Sequence, residues 1–366
     1  MKYFYISILS TIILLFFAVP LRSYAENSDD ICSEVIDELD DTLNEFDIGI
    51  NYYDISKIEF SDLIELLWDR LYSRSTEPLH MLSMILLIVI SSAVIRTSFG
   101  NKINDTSGGL FDLFSVICVG VLVTPKLVDV YIETLNEIEI CGNFILVFVP
   151  IFTSVAIISG GIVSAGVYHL LILGASEMII QLSESYFVPL LGTMIALSLM
   201  SCAFSDSSLD CVVGYLKKFS TWIITLVMTL FTGFVTLKCS IAGKADGVAL
   251  KTTKVLISGV VPVIGGAVSD AYSTVKGSLE IIGSTVGAAG IIGIVVLMLP
   301  SILELFIYRG VMLIGASISD LFSANSMSKL FRSFDSGLAI AQCIQICYML
   351  MFLISSAILA QTMGQG

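Results

Sequence analysis

Long apolar runs separated by short polar stretches make up most of this chain, and they predict membrane-spanning helices. Each run is close to the ~20 residues that a helix needs to cross a bilayer. Continuous apolar runs, unlike short alternating ones, indicate α-helices and not the strands of a membrane barrel. The predicted spans are 79–95, 109–124, 143–158, 162–182, 186–204, 219–237, 288–307 and 336–360.

The residues before these spans predict a signal peptide and a small exported helical segment. Residues 1–25 combine an early lysine and an apolar core with Ala25 where a signal peptidase cleaves, although an uncleaved anchor helix is the alternative. Residues 26–78 contain two amphipathic helical patterns, the second from Ser61 to Ser73. We expect this segment to dock on a partner or on the bilayer surface; a solvated spacer is the other interpretation.

A stripe of polar residues lies deep within the polytopic membrane domain, which is predicted to cover residues 79–366. Such a stripe must line water, meet another polar surface or lie in the membrane interface. The region 238–287 is therefore predicted to be amphipathic or re-entrant. The stripe is the candidate polar path or docking face, and it consists of Ser269, Ser273, Lys276, Glu280 and Ser284.

Three Val-Pro dipeptides and one glycine pair mark candidate helix breaks. Proline removes a backbone donor and kinks a helix, and interrupted apolar segments point towards a substrate path. One of the middle apolar runs is expected to re-enter the membrane, with its turn at Ser159–Gly161. The candidate breaks are Pro150, Gly160, Gly161, Pro189 and Pro262.

Small residues predict where helices approach one another closely. Gly287, Gly290 and Gly293 recur at steps of three residues at the start of one predicted span. Small residues at such spacing let two helix backbones come close in a membrane. The pattern therefore predicts tight packing, either within one chain or between copies.

Composition supports the membrane class and limits the possible partners. The chain is 56% hydrophobic and 14% charged, with a mean hydropathy of +0.93, which lies well outside the range of soluble domains. Membrane lipid is therefore its expected surrounding. Residues 26–78 carry sixteen acidic and three basic side chains, and so contribute most of the net charge of −14. An acidic balance argues against nucleic acid as a partner.

Residues that could carry chemistry are few. The chain has eight cysteines and two histidines without metal-site or redox spacing, and it has no enzyme signature, so we expect no enzyme, no metal and no cofactor. The candidate intramembrane polar residues are His169, Glu177 and Glu304, because such groups usually face a bundle interior or an aqueous path. A packed histidine bonded to a carbonyl is the alternative for His169. Arg309 is predicted to snorkel to the interface.

Several stretches carry a likeness to one known family. They are Ser159–Ala165 with His169 following, Asp246–Lys254 leading into Val261–Gly265, Asp270–Val275 and Ser284–Gly287. With these stretches the chain resembles the stage III sporulation protein AE family of endospore-forming bacteria. The likeness extends over nearly the whole length, more loosely in the exported segment, and the family provides no catalytic residues to carry over.

The resemblance implies a multi-pass protein of the mother-cell membrane that surrounds the forespore, with its N-terminal segment exported. It implies other stage III A proteins as partners, namely an ATPase and ring-forming components, and indirectly stage II protein Q. A homo-oligomer is compatible with it. The implied function is that of a membrane component of the mother-cell-to-forespore channel, a secretion-like apparatus, as its pore or permease-like part. A non-conducting scaffold that assembles the other components is the alternative.

Overall fold

The part of the chain that the structure describes is helical, with short turns between the helices. The computed structural model describes residues 28–48, 60–99, 105–204, 207–260 and 265–363, and no strand occurs among them. The all-α class and the multi-pass architecture are therefore confirmed, since six of the helical stretches are long and apolar enough to cross a membrane. The predicted signal peptide, residues 1–25, lies outside the described residues.

The chain divides into two compact units, Met1–Asp37 and Glu38–Gly366. The described part of the first unit is the beginning of α1. The second unit contains the rest of α1 and all the other helices, and every contact discussed below lies within it. The helices are α1 Ser28–Glu45, α2 Phe60–Arg74, α3 Thr76–Phe99, α4 Asp105–Ile158, α5 Ile162–Leu182, α6 Val188–Phe204, α7 Ser207–Val260, α8 Gly265–Leu321 and α9 Asn325–Met363.

Two helical stretches each combine two of the eight predicted spans. The spans 109–124 and 143–158 both lie in α4, whose 54 residues extend for about 80 Å. The spans 162–182 and 186–204 lie in α5 and α6, which the π-helix Ser183–Phe187 joins without a loop. The acidic stretch 129–139, expected as a loop, is helical because it contains no glycine or proline and consists largely of residues that tolerate a helix.

The candidate breaks differ in what they do to the helices. Pro150 lies inside α4, which continues through it, and the carbonyl of Pro150 accepts the Ser154 hydroxyl at 2.8 Å. Pro189 is the second residue of α6, one residue after the π-helix; the wider π-helical turn before it leaves room for a proline ring that would clash in an α-helix. Pro262 lies outside the described residues.

The glycine pair forms the turn between α4 and α5. Gly160 has φ 94°, a left-handed conformation that glycine adopts without steric cost. Its N–H donates to Ile157 O at 2.9 Å, and the Gly161 N–H donates to Ala156 O at 2.8 Å. These two bonds satisfy the last carbonyls of α4 and end the helix there.

The bundle has two apolar parts, which we call half A and half B. Half A comprises α3, α4 up to residue 125, α6 and the α8–α9 hairpin at 310–334; half B comprises residues 140–158, 162–182, 219–238, 285–303 and 343–360. In half A, the Cα of Gly315 packs against Ile85 and Phe331, and Gly120 packs against Leu199. These contacts bring helices that are distant in the sequence to the same level.

A row of phenylalanines against a row of glycines forms the core of half B. Phe144, Phe148 and Phe152 of α4 stack one above another, with ring centroids 5.5 and 5.7 Å apart. A Cβ atom at Gly290 would overlap the Phe148 ring, and Gly293 and Gly287 face the other two rings in the same way. The close approach predicted from the glycine spacing is confirmed, here within one chain.

Candidate functional site

The charged side chains of the bundle meet between half A and half B, in what we call the central polar layer. Three carboxylates surround Arg74, the last residue of α2: Nη2 lies 2.5 Å from Glu137 Oε1, and Nη1 lies 3.5 Å from Glu304 Oε2 and 3.8 Å from Glu133 Oε1. The side chains of Glu137 and Glu304 are only 9% and 10% exposed. A carboxylate removed from water needs a counter-charge, so this guanidinium ties α2 to both α4 and α8.

Local sequence explains how these groups come to face one point. Glu133 and Glu137 are one helical turn apart on α4, so their side chains share a face. Glu304 lies on α8 where an apolar run of nearly twenty residues ends. Arg74 sits at the junction of α2 and α3, where the chain changes direction and a long side chain can reach inward.

A second ionic group joins α8 to α9 in the same layer. Arg309 Nε donates to Asp335 Oδ1 at 2.8 Å, and its Nη1 donates to Gln342 Oε1 at 2.7 Å. The Gln342 amide in turn donates to Ile302 O at 3.1 Å. Arg309 was predicted to snorkel, but the structure instead binds it to two side chains of the neighbouring helix.

Two lysines complete the layer. Lys126 Nζ lies 3.1 Å from Glu77 Oε2 and joins α4 to the start of α3. Lys217 Nζ donates to the Ser336 hydroxyl at 3.1 Å and joins α7 to α9. Six helices, α2, α3, α4, α7, α8 and α9, therefore contribute charged groups to this layer.

The layer is closely packed and contains small cavities. Two cavities of about 20 Å³ each flank the π-helix, and one of them is lined by Tyr131 and Ser183. The Tyr131 hydroxyl and the Ser183 hydroxyl are buried and have no hydrogen-bond partner among the described residues. The cavities themselves have an almost wholly apolar lining.

The structure separates the three candidate intramembrane residues. Glu304 lies in the central polar layer. His169 lies in half B, half-buried, with Nδ1 3.4 Å from the Thr153 hydroxyl. Glu177 is on the outer surface of α5, where the Gln181 amide donates to it at 2.7 Å. The described residues contain no group of three or more potential metal ligands in reach of one ion.

The polar stripe belongs to the first part of α8. Helix α8 runs without interruption from Gly265 to Leu321, so residues spaced by three or four positions share one side of it. The side chains of Ser269, Ser273, Lys276, Glu280 and Ser284 lie outside what the structure describes.

Sequence reasoning missed most of the central polar layer. The predicted spans 109–124 and 143–158 leave Glu133 and Glu137 between two helices, and Arg74 lies just beyond the predicted helix Ser61 to Ser73. The four-residue spacing of the two glutamates was the available signal, because it places them on one helical face. The arginine that both glutamates contact could not be predicted from the neighbouring sequence, because Arg74 is 63 residues from Glu137 in the chain.

Comparisons with known proteins agree on one family. A family model described as stage III sporulation protein AE matches residues 51–363. A protein named "Stage III sporulation protein AE" from Bacillus subtilis (strain 168) is 28% identical over 178 residues, which cover 48% of this chain and 45% of that relative. The matched stretch thus spans less than half of the relative's length, and no solved structure gives a significant match. Because the family model covers the helices on both sides of the central polar layer, the chain belongs to the stage III sporulation protein AE family.

Proposed function

We propose that this chain is an integral membrane component of the stage III sporulation channel, the secretion-like apparatus between mother cell and forespore. In this proposal it lies in the mother-cell membrane around the forespore, with its N-terminal segment exported. Its partners are the stage III A ATPase and ring-forming proteins, and indirectly stage II protein Q. Family membership and the six helices suited to cross a membrane support this assignment.

The central polar layer is the observation that carries a role in a polar path. Charged groups from six helices meet between two apolar halves, and ionisable groups between apolar segments are costly unless they serve a path or a fixed contact. Glu137 and Glu304 are nearly buried and are held by Arg74, so side chains fill the middle of one copy. The path we propose therefore lies between neighbouring subunits, and the stripe of α8 supplies its polar groups.

Substituting the two charged residues of the stripe tests this path. We expect a Lys276→Leu and Glu280→Leu double variant to stop forespore development while the protein still accumulates in the membrane. The control is the double variant Lys276→Arg and Glu280→Asp, which keeps both charges and should sporulate normally. Normal sporulation of the leucine variant would exclude the path.

A non-conducting scaffold is the second candidate, and the Arg74 contacts favour it. One guanidinium fixes the exported helix α2 against α4 and α8, which is the kind of rigid connection that an assembly platform needs. Co-purification of the other stage III A proteins with the leucine variant separates the two functions. A path component loses development and keeps its partners, whereas a scaffold docked through the stripe loses both.

A further inference from the structure

The contacts around Arg74 bring together more negative than positive charge. Glu133 and Glu137 of α4 and Glu304 of α8 all lie within 3.8 Å of its guanidinium. Three carboxylates therefore share one counter-charge. If all three were ionised, two negative charges would be left over in a part of the bundle that is largely closed to water.

The other charged and titratable groups around this cluster supply no second counter-charge among the described residues. They are Glu77 on α3, Lys126 and Asp129 on α4, Tyr308 and Arg309 on α8, and Asp335 on α9. Lys126 is already paired with Glu77, and Arg309 with Asp335. Asp129 adds a further negative charge. The charge of the cluster has to be lowered in another way.

The three carboxylates differ in how well their surroundings support a negative charge. Glu137 accepts a hydrogen bond from Arg74 Nη2 at 2.5 Å. Glu133 has a side chain that is 52% exposed, so water solvates its charge. Glu304 is only 10% exposed, and its nearest cationic atom, Arg74 Nη1 at 3.5 Å, makes no hydrogen bond to any described residue. An ionised carboxylate is costly where it lacks both water and a hydrogen-bond donor, so Glu304 is the one least able to stay ionised.

A proton on Glu304 would remove this cost. A protonated carboxyl group has no charge and brings a donor of its own. It also ends the repulsion between Glu304 and Glu137, which then has the guanidinium to itself. The exposed tenth of the Glu304 side chain leaves a route for exchange of that proton with water.

We propose that the Arg74 cluster is a proton-binding site in which Glu304 carries the proton at neutral pH. As the pH rises, Glu304 gives up this proton to water and becomes an unsolvated charge between α2, α4 and α8. The contact that holds α2 to the bundle is then weakened. The attachment of this helix is therefore pH dependent, whatever role the chain has in sporulation.

Infrared spectroscopy of the full-length chain in detergent detects the proton directly, because a protonated carboxylic acid and a carboxylate have separate stretching bands. At neutral pH the wild-type spectrum should contain a carboxylic-acid band that is absent from Glu304→Gln. In the wild-type chain the band should disappear as the pH is raised, a result that needs no variant. Glu177→Gln is the matched control: Glu177 lies on the outer surface of α5, so this substitution should leave the band unchanged.

Thermal unfolding followed by circular dichroism tests the effect on stability. Because the folded protein favours the protonated form of Glu304, its contribution to stability is present at acidic pH and is lost as the pH rises. From mildly acidic to mildly alkaline pH, the wild-type midpoint should fall by a few degrees relative to Glu304→Gln, which is uncharged throughout. The proposal is overturned by parallel midpoint curves for the two proteins, by the absence of a carboxylic-acid band at neutral pH, or by a band that persists in Glu304→Gln.

Discussion

Replacing Arg74 by alanine should destabilise the bundle strongly. The substitution leaves the nearly buried Glu137 and Glu304 without their shared counter-charge. Breaking a buried ion pair by removing one partner costs about 3–5 kcal/mol. The Arg74 side chain is one-third exposed, so water replaces part of the lost interaction and we expect the lower end, about 3 kcal/mol.

Arg70 provides a matched control four residues earlier in α2. Its guanidinium donates to the Asp47 backbone carbonyl at the surface and lies 3.8 Å from the Asp47 carboxylate, which is fully exposed to solvent. Exposed pairs contribute little because water screens them. Arg70→Ala should therefore leave stability almost unchanged, although it removes the same charge from the same helix.

Thermal unfolding of the detergent-solubilised chain, followed with a thiol-reactive dye, measures the difference. Cys141 is buried one turn from Glu137, so in a background where serine replaces the other cysteines, Cys211 among them, its reactivity reports opening of the layer. The midpoint should fall clearly for Arg74→Ala and hardly at all for Arg70→Ala. Adding Glu137→Gln to Arg74→Ala should recover part of the loss, since it removes an unpaired charge. Equal midpoints for the two arginine variants would refute the ionic contact as a source of stability.

Three further substitutions follow from the packing. Gly290→Ala should lower the free energy of unfolding by about 1–3 kcal/mol, because the added methyl group overlaps the Phe148 ring. Gly310 lies on the same helix with open space around it, so Gly310→Ala should be neutral or stabilising by up to about 1 kcal/mol. Thermal midpoints measured with the dye for the two variants check this difference. Gly160→Ala should cost about 1–2 kcal/mol because its φ of 94° is unfavourable for a side chain, and an unchanged midpoint would contradict it. Arg309→Leu should cost about 3 kcal/mol by leaving a largely buried carboxylate unpaired, a loss that urea-induced or thermal unfolding would reveal.

Much of the helical framework was predictable because it depends on local sequence. Apolar runs specify helices because a helix satisfies every backbone hydrogen bond internally where lipid offers no partner. The turn at Gly160 was predictable because only glycine adopts its conformation without strain. The glycine row at residues 287–293 indicated close packing because absent side chains leave room for a neighbour.

Proline shows where local reasoning misleads. A proline inside a helix removes one hydrogen bond, and a break was predicted at each Val-Pro dipeptide. At Pro150 the surrounding helix continues, because tight packing of the neighbouring phenylalanines against α8 outweighs the loss. At Pro189 the chain widens into a π-helix and keeps its direction.

The sequence by itself determined that this chain is an all-helical membrane protein, that the chain turns at Gly160 and to which family it belongs. The tertiary structure decided which charges meet. Arg74 finds Glu137 and Glu304 on two other helices, and Arg309 finds Asp335 across a hairpin. The periodicity of the sequence fixes the face of the helix on which a side chain lies. The packing of distant helices decides which residues of another helix that side chain contacts. A buried charge is stable only where that packing supplies its partner.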